Sequence, residues 1–386
     1  MSAKKFSIIF IAFIYLGSLF CLVLLGILIY LYDPLQAYHK PFFREPSFSS
    51  DMRIQNKGII KHYDFDSFII GTSMLRNTSA NEAVARLGGK WVNISMDGSA
   101  FNERAVVLGY LFKTKNVKQI IGSLDGHSWL GEANTKHFAF LYDGVEFNDI
   151  RVYFNKKIIL CALNFSKNQE CVGEKDLETL TNWAKDKGNS SRFGGLNKWL
   201  ENKDNGQIKD TLAKLQALAK AQTLPTYDFK PHTNSIKSSQ EMLEKNVLRF
   251  VRQNPNTKFH FVFPTYSRLS YRLDNNATGY AKTKIVLKWL VSEAQNLPNM
   301  KIYGFDDLTY ADEIANYKDL THYNVDMNSM QLDAIASGTH ILTPQNIDAY
   351  LATMEAKIKA YDLTPLINEI KAWEMEQNKS KNKQNE

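Results

Sequence analysis

The feature that most constrains this chain is a long run without any charged side chain. It covers residues 6–32 and reads FSIIFIAFIYLGSLFCLVLLGILIYLY. A helix of this length exceeds the roughly 20 residues needed to cross a bilayer. The run is too long for the apolar part of a cleaved signal peptide, and no A-x-A-like cleavage site follows it. We therefore predict one uncleaved transmembrane signal anchor, rather than the buried core helix of a soluble protein.

The charges that flank this run predict its orientation. Lys4 and Lys5 precede the run and Asp33 follows it. Because basic residues favour the cytoplasmic side, the short N-terminus is expected in the cytoplasm. Everything from about residue 34 onwards is then expected outside the cytoplasm.

Composition excludes several classes of protein. The chain has 386 residues, of which 44% are hydrophobic and 23% charged, with 20 Gly and 3 Cys. These values are not typical of disordered, collagen-like or disulfide-dense chains. The formal net charge of +7 invites a nucleic-acid partner, but no nucleic-acid-binding motif is present. On an anchored domain, we expect this charge to meet anionic lipid or glycopolymer instead.

Strand and helix patterns alternate in two parts of the chain. Strands are predicted at 65–70, 91–94 and 117–124, with helices at 79–87 and 100–113 between them. The pattern resumes with a helix at 240–253, a strand at 258–263, a helix at 281–294, a strand at 301–305, and helices at 325–336 and 344–360. Short apolar strands that alternate with helices indicate an α/β fold with a parallel sheet.

The remaining segments predict the domain organisation. Residues 127–235 lack strong strands and contain an amphipathic helix with Ile208, Leu212, Leu215 and Ala219 on one face. We therefore predict a mostly helical insertion at 127–235 within one discontinuous domain at 61–375. Residues 1–33 are the cytoplasmic stub and anchor, 34–60 an irregular juxtamembrane connector, and 376–386 a polar, frayed tail.

The cysteines carry a further expectation. Cys161 and Cys171 lie ten residues apart in the exported part, and Cys21 lies in the anchor. In an oxidising compartment, Cys161 and Cys171 are expected to form a disulfide, with two reduced thiols as the alternative. No His or Cys spacing is typical of a metal site, and no cofactor is predicted.

A serine follows the first predicted strand. In open parallel sheets, reactive groups gather outside the carboxyl ends of the strands, and Ser73 in the sequence IIGTSM holds such a place. Ahead of a helix, its hydroxyl would lie near backbone N–H groups that stabilise an oxyanion. The alternative is a serine that only caps the helix.

An acid and a histidine follow the last predicted strand. In the loop NYKDLTHYN, Asp319 precedes His322 by three residues. At this spacing the carboxylate of Asp319 can hold the imidazole Nδ1, which leaves Nε2 free to take a proton from a hydroxyl. The alternative is an ordinary pair in a surface loop.

Together these residues resemble the SGNH hydrolase superfamily, also called GDSL-like. The resemblance covers roughly residues 64–125 and 258–336, and it implies a three-layer α/β/α fold. It implies a catalytic triad of Ser73, Asp319 and His322, with an oxyanion hole formed by the N–H groups of Ser73 and Gly98.

Two sequence motifs of this chain depart from the family pattern. Thr72 replaces the acidic residue before the nucleophile, and Asp125 lies nearest to the position where the family has an Asn.

The anchor together with these departures looks like the envelope acyl-transfer branch of that superfamily. This branch includes D-alanyl-lipoteichoic acid transfer proteins and alginate-type O-acetylation proteins. The resemblance implies an acyl-serine intermediate, a partner membrane-bound O-acyltransferase and an envelope glycan or glycopolymer as acceptor. It also implies a single pass through a bacterial cytoplasmic membrane, with the C-terminal domain on the periplasmic side. The alternatives are an extracytoplasmic esterase or deacetylase with the same triad, and a non-catalytic glycan-binding scaffold.

Five further residues are expected near the site. Arg76 and Asp125 follow the first and third strands, and His127 comes shortly after Asp125. Tyr266 and Arg268 follow the fourth strand, where they could contact a sugar or an anionic polymer. For each, the alternative is a polar side chain without a role in substrate binding.

Overall fold

The computed structural model describes residues 3–125, 131–224, 227, 235–273 and 277–384. Contacts divide the chain into two compact units. Unit 1 consists of Met1–Asp64, Gly109–Lys115 and Asn134–Leu180, and unit 2 of Phe65–Leu108, Asn116–Ala133 and Thr181–Glu386. Each unit is therefore built from segments that lie far apart in the sequence.

The described helices and strands alternate in the N-terminal half of the chain. In chain order they are α1 (Ala3–Tyr32), α2 (Met52–His62), β1 (Ser67–Ile70), α3 (Ser73–Arg76), α4 (Ala80–Leu87), β2 (Trp91–Asn93), α5 (Phe101–Thr114), β3 (Gln119–Ser123), α6 (Lys156–Leu163), α7 (Gln169–Val172), α8 (Leu177–Thr181) and α9 (Lys187–Ser190). Short 3₁₀ segments cover Ala139–Tyr142, Glu146–Tyr153 and Trp183–Lys185.

The C-terminal half adds two strands and more helices. They are α10 (Leu196–Glu201), α11 (Gly206–Lys220), α12 (Ile236–Leu243), α13 (Arg249–Gln253), β4 (Lys258–Val262), α14 (Arg268–Leu273), α15 (Ala277–Gln295), β5 (Met300–Tyr303), α16 (Val325–Ser337), α17 (Ile347–Ala360) and α18 (Thr364–Gln384). A π-helical stretch, Glu244–Leu248, joins α12 to α13, and 3₁₀ segments cover Thr309–Asp312 and Ile314–Asn316.

The five strands form one parallel sheet in unit 2, with the order β2-β1-β3-β4-β5. Ile69 of β1 pairs with Asn93 of β2 on one side and with Ile121 of β3 on the other. The prediction of an α/β fold with a parallel sheet is confirmed. This strand order reverses direction between β1 and β3, which opens a crevice beyond their carboxyl ends.

Burial on both faces explains why the strands could be found from the sequence. All residues of β1 and β2 are buried, as are most of β3, β4 and β5. Parallel strands covered on both faces read as continuous apolar runs. Caps then set the helix ends: Ser79 Oγ accepts from the Glu82 N–H at 3.0 Å to begin α4, and Gly338 in the left-handed region ends α16.

The end of the chain differs from the expected frayed tail. Helix α18 continues to Gln384, and its first turns bury Leu366, Ile367 and Ile370 in the core of unit 2. These turns pack against α11, whose predicted apolar face includes Leu212 and Leu215. The apolar contacts anchor the beginning of α18, and the polar residues that follow extend the same helix into solvent.

Unit 1 contains the predicted membrane segment. Residues Ile9–Tyr32 of α1 form a helix that is long and apolar enough to cross a membrane, and its side chains are largely exposed. An exposed apolar helix of this length fits a lipid environment rather than a protein core.

The expected irregular connector at 34–60 contains a helix. Helix α2 buries Ile59 and Ile60, and its Gly58 lies against the turn that follows α1. A Cβ at Gly58 would approach the carbonyl oxygens of Leu35 and Gln36 to 2.7 Å. Only glycine therefore allows this close approach between α2 and the turn.

The expected insertion is divided between the two units. Residues 134–180 belong to unit 1, while 181–224 belong to unit 2. In unit 1, Cys161 and Cys171 form a disulfide. The buried Lys57 of α2 pairs with the buried Asp149 at 3.1 Å, and it also donates to the Leu141 carbonyl at 2.6 Å. This pair ties residues 134–180 to α2.

We predict that Gly58→Ala lowers the stability of the protein. Overpacking of this kind costs about 1–3 kcal/mol. The measurement is the midpoint of thermal unfolding of the full chain in detergent. Gly109→Ala is the matched control: a Cβ at this glycine of α5 meets no atom within 4 Å. Since alanine favours a helix by about 1 kcal/mol over glycine, the control should be neutral or stabilising. Equal midpoints for both variants would contradict the close approach.

Candidate functional site

Ser73 lies just beyond the carboxyl end of β1. Gly71 and Thr72 connect the strand to α3, and Ser73 is the first residue of that helix. A Cβ at Gly71 would lie 2.6 Å from Ser123 Oγ, so this turn requires glycine. Thr72 is the N-cap, and its hydroxyl accepts from the Met74 N–H at 3.3 Å.

The structure brings Ser73, His322 and Asp319 into one hydrogen-bonded chain. Ser73 Oγ lies 2.8 Å from His322 Nε2. His322 Nδ1 lies 2.9 Å from both carboxylate oxygens of Asp319. These distances fit a serine that donates to Nε2 and an imidazole that donates through Nδ1 to the acid.

The surroundings of Asp319 keep it ionised. Its Oδ1 accepts from the backbone N–H groups of Thr321 and His322 at 3.0 Å each. Burial acts to raise the pKa of Asp319, but the charge of His322 and these hydrogen bonds outweigh it and hold the pKa well below its ordinary value. The acid can therefore orient the imidazole and stabilise its protonated form without itself taking the proton.

The loop that carries both residues is closed on itself. Tyr317 and Tyr323 form an antiparallel bridge, and the Lys318 N–H donates to the His322 carbonyl at 3.1 Å. Ser267 Oγ donates to the Leu320 carbonyl at 2.6 Å, which ties the loop to the residues that follow β4. The position of His322 is thus set by backbone contacts as well as by Asp319.

Trp183 adds an aromatic wall to the site. Its indole N–H donates to the Ser73 carbonyl at 3.0 Å. Its ring meets the His322 ring edge-on, with centroids 5.6 Å apart. Trp183 thus contacts both partners of the short hydrogen bond between Ser73 and His322.

Lys318 packs against the Trp183 ring. Its Nζ lies 3.8 Å from the centroid of the Trp183 ring and 2.9 Å from Asn189 Oδ1. Burial, opposed by the negative charge of Asp319, lowers the pKa of Lys318 to about 8. Sequence reasoning missed both Trp183 and Lys318. Trp183 lies in the segment read as an insertion, and no local pattern marks a contact that only the folded chain creates.

Gly98 lies in a turn that is hydrogen-bonded to Gly71, two residues before Ser73. The Met96 N–H and Ser99 Oγ both donate to the Gly71 carbonyl, at 2.9 and 3.3 Å. Gly98 has a φ of +60°, and a Cβ there would meet no atom within 4 Å. The space beside Gly98 is therefore open, and it is the positive φ that favours glycine at this position.

Asp125 has a structural role in place of the expected contact with substrate. It is buried and accepts from Thr72 Oγ1 at 2.9 Å, from Ser123 Oγ at 2.5 Å and from Arg104 Nη1 at 3.1 Å. These donors occupy both carboxylate oxygens, so the side chain of Asp125 points into the protein. Its negative charge is balanced by the buried guanidinium of Arg104.

Arg76 is paired within the protein, and its side chain is only 12% exposed. Arg76 forms an ion pair with Asp97, whose side chain is about half exposed. The charge of this guanidinium is thus balanced by a carboxylate of the same chain. His127 lies outside the described residues.

Tyr266 and Arg268 differ from the expectation, because both side chains are buried in unit 2. Arg268 has no exposed surface and pairs with Asp312 at 2.9 Å, while it also donates to the Asp306 carbonyl. Tyr266 is 5% exposed and belongs to the hydrophobic core. Such burial does not fit contact with a sugar or an anionic polymer. The turn after β4 looks polar in sequence, but residues of the loop after β5 bind it.

No group of three or more His, Cys, Asp or Glu side chains among the described residues is placed to hold a metal ion.

No known protein family's sequence profile matches the chain, and no curated protein matches it either. Membership of the SGNH superfamily therefore stays a prediction.

We predict that the buried Asp306 makes stability fall as pH rises. Burial raises the pKa of Asp306 to about 7, against the opposing charge of Arg268. The folded chain then keeps a proton between about pH 4 and 7 that the unfolded chain has released, so stability decreases across this window. Since one pKa unit corresponds to about 1.4 kcal/mol, the effect is of the order of a few kcal/mol.

The variant Asp306→Asn removes this titration. Its thermal midpoint relative to the unsubstituted protein should increase from pH 4 to pH 8. Asp348→Asn is the control, because that carboxylate is exposed and its pairing with Lys288 contributes little. A constant difference between Asp306→Asn and the unsubstituted protein across this range would rule out a raised pKa for Asp306.

Proposed function

We propose that the protein transfers an acyl group to a hydroxyl of a cell-envelope glycan or glycopolymer through an acyl-serine intermediate. The observation that carries this proposal is the hydrogen-bonded chain from Ser73 Oγ through His322 to Asp319. A serine is a weak nucleophile unless a base takes its proton, and this geometry supplies the base and the group that orients it.

The reaction has two halves. In the first, His322 Nε2 takes the proton of Ser73 as Oγ attacks the acyl carbonyl carbon, and the donor leaves with that proton. In the second, His322 takes the proton of the acceptor hydroxyl, whose oxygen attacks the acyl-serine. The new ester then leaves, and Ser73 Oγ recovers its proton from His322. Asp319 remains ionised throughout, in keeping with its lowered pKa.

The N–H groups of Ser73 and Gly98 are proposed as the oxyanion hole. Ser73 is the first residue of α3, and the earliest N–H groups of a helix have no intrahelical acceptor. The Gly98 turn is bonded to Gly71, two residues before the nucleophile. Asp125 does not oppose an oxyanion here, because its carboxylate is occupied by Thr72, Ser123 and Arg104.

An SGNH-like α/β/α fold accounts for the order of the site residues along the chain. Ser73 follows β1, Gly98 follows β2, and Asp319 and His322 come after β5. Asp125 lies nearest to the position where the family has an Asn, so two backbone N–H groups remain as the proposed hole. The proposal rests on the geometry of Ser73, His322 and Asp319, since no family profile supports it.

The membrane helix and the disulfide support an extracytoplasmic site. Lys4 and Lys5 lie in the first turn of α1, ahead of its apolar stretch Ile9–Tyr32, and such a position favours a cytoplasmic N-terminus. With that orientation, the folded units would lie on the other side of the membrane. The disulfide between Cys161 and Cys171 is typical of an oxidising compartment such as the periplasm. Acyl donors are made in the cytoplasm, so we include a membrane-bound O-acyltransferase as the partner that delivers the acyl group.

A serine-directed fluorophosphonate tests the nucleophile. The full chain in detergent should form one covalent adduct at Ser73, detected by mass spectrometry. Ser73→Ala should abolish it, and Asp319→Asn should slow it by about 10³–10⁴-fold, because the imidazole loses its correct tautomer. Ser191→Ala, at an exposed serine of unit 2, should label like the unsubstituted protein. Absence of any adduct that depends on Ser73 would leave the non-catalytic scaffold as the better account.

Transfer is distinguished from hydrolysis by the fate of the acyl-serine. The full chain is acylated with 4-nitrophenyl acetate and then mixed with buffer alone, with a uronate polysaccharide or with a teichoic acid. We expect one polymer to accelerate loss of the acetyl group from Ser73 and to carry it as an ester afterwards. If water removes the group as fast as every acceptor, the protein is an esterase.

A further inference from the structure

The end of the membrane helix is built into unit 1 rather than followed by a free linker. The turn after α1 is held by the buried Asp33, which accepts from the N–H groups of Ala37, Tyr38 and His39 at 2.9–3.0 Å and also from the hydroxyl of Tyr153. Tyr32 Oη donates to the Ser166 carbonyl at 2.7 Å. The depth of α1 in a membrane therefore fixes the depth of the parts of unit 1 that touch it.

Helix α6 packs alongside the last two turns of α1. Cys161 and Ala162 are buried in one cluster with Tyr32, and Leu28 packs against it. Ile158 packs against a neighbouring cluster that contains Ile29. On its free side, α6 leaves Leu160 and Leu163 about half exposed.

Three aromatic rings extend this exposed apolar surface beside Tyr32. The Phe165 ring meets the Tyr32 ring edge-on at 6.0 Å and the Phe43 ring at 6.1 Å, and Phe43 in turn meets Phe42 at 6.2 Å. Phe42 and Phe43 are 59% and 60% exposed. We call Phe42, Phe43, Leu160, Leu163 and Phe165 the collar.

The length of α1 sets the level of the collar. The apolar stretch Ile9–Tyr32 has 24 residues, which at about 1.5 Å each gives roughly 36 Å. The hydrocarbon core of a bilayer is only about 30 Å thick. The last turn of α1, against which α6 and Phe165 pack, therefore reaches the headgroup region.

Exposed lysines flank the collar. Lys156 and Lys157 begin α6, and Lys167 lines a small cavity together with Phe42, Phe43 and Phe165. The disulfide between Cys161 and Cys171 closes the loop that presents Phe165 and Lys167. Aromatic rings and long basic side chains are the residues that proteins place at the lipid–water boundary.

We propose that the collar inserts into the headgroup region of the membrane that α1 spans, with Lys156, Lys157 and Lys167 beside the lipid phosphates. Unit 1 then lies partly within the membrane interface, in the manner of an amphipathic interfacial helix, and does not stand away from the bilayer on a linker. The proposal rests on α1 as a membrane span, and it is independent of the chemistry proposed for Ser73.

Tryptophan fluorescence in vesicles measures the depth of the collar. The full chain is reconstituted into phosphatidylcholine–phosphatidylglycerol vesicles whose acyl chains carry bromine either near the headgroup or near the chain end. Phe43→Trp and Leu163→Trp report on the collar, and Phe20→Trp, in the middle of α1, is the depth control. The fluorescence of the unsubstituted protein, with its 6 tryptophans, is subtracted. Alkylation of free thiols verifies that the disulfide is intact in each variant.

We expect the two collar variants to lose more fluorescence to bromine near the headgroup than to bromine near the chain end, and Phe20→Trp to show the reverse. Quenching of the collar variants by aqueous iodide, with no effect of either lipid, would overturn the proposal because the surface then faces water. Protection from both lipids and iodide would also overturn it, because protein then covers the collar. If Phe20→Trp alone shows no lipid quenching, α1 does not span and the proposal fails at its basis.

Discussion

The buried ion pair between Arg104 and Asp125 is the constraint on which the arrangement of unit 2 around Ser73 depends. Asp125 follows β3, and it binds both the guanidinium of α5 and the hydroxyl of Thr72 directly before the serine. Removing one partner of such a pair leaves an uncompensated buried charge, which typically costs about 3–5 kcal/mol. The turn after β1 is therefore tied to the end of β3, and Ser73 cannot shift without disturbing that pair.

The same principle of buried polar groups with dedicated partners governs unit 1. Asp33 binds the turn after α1, and Lys57 binds Asp149 and the Leu141 carbonyl. Lys57 and Asp149 lie far apart in the sequence, and Asp33 lies directly after the long helix α1. Since an unpaired buried charge is costly, the contacts select one arrangement of the segments. A loose connector between a membrane helix and a soluble domain would need none of them.

Sequence patterns were sufficient to predict those features that depend on continuous burial or on contacts between near neighbours in the chain. The five strands are buried on both faces, so their apolar runs stand out, and the D-x-x-H spacing brought Asp319 and His322 together because the contact between them is local. Helix α2 was missed because it mixes Arg53, Lys57 and Lys61 with only a narrow apolar stripe. Its buried Lys57 is explained by Asp149, which no local pattern connects to it.

The surroundings of the site could not be read in the same way. Tyr266 and Arg268 follow a strand and look like residues at an open edge, yet the loop after β5 buries them through Asp312 and the Asp306 carbonyl. Trp183 reaches Ser73 across more than a hundred residues of chain, and Lys318 is placed by its contact with that ring. Such contacts follow from tertiary packing, which composition and periodicity do not record.

The order of the segments has a consequence for the synthesis of the protein. Ser73 and His322 are separated by 249 residues, and β3 and β4 pair across a gap that includes the whole of the expected insertion. Contacts of such long range form only after the intervening chain is available. A nascent chain that has not yet reached residue 322 therefore carries Ser73 without the imidazole of His322. The hydrogen-bonded chain of Ser73, His322 and Asp319 is therefore completed only after about four-fifths of the polypeptide has been made, when α1 has long since left the ribosome.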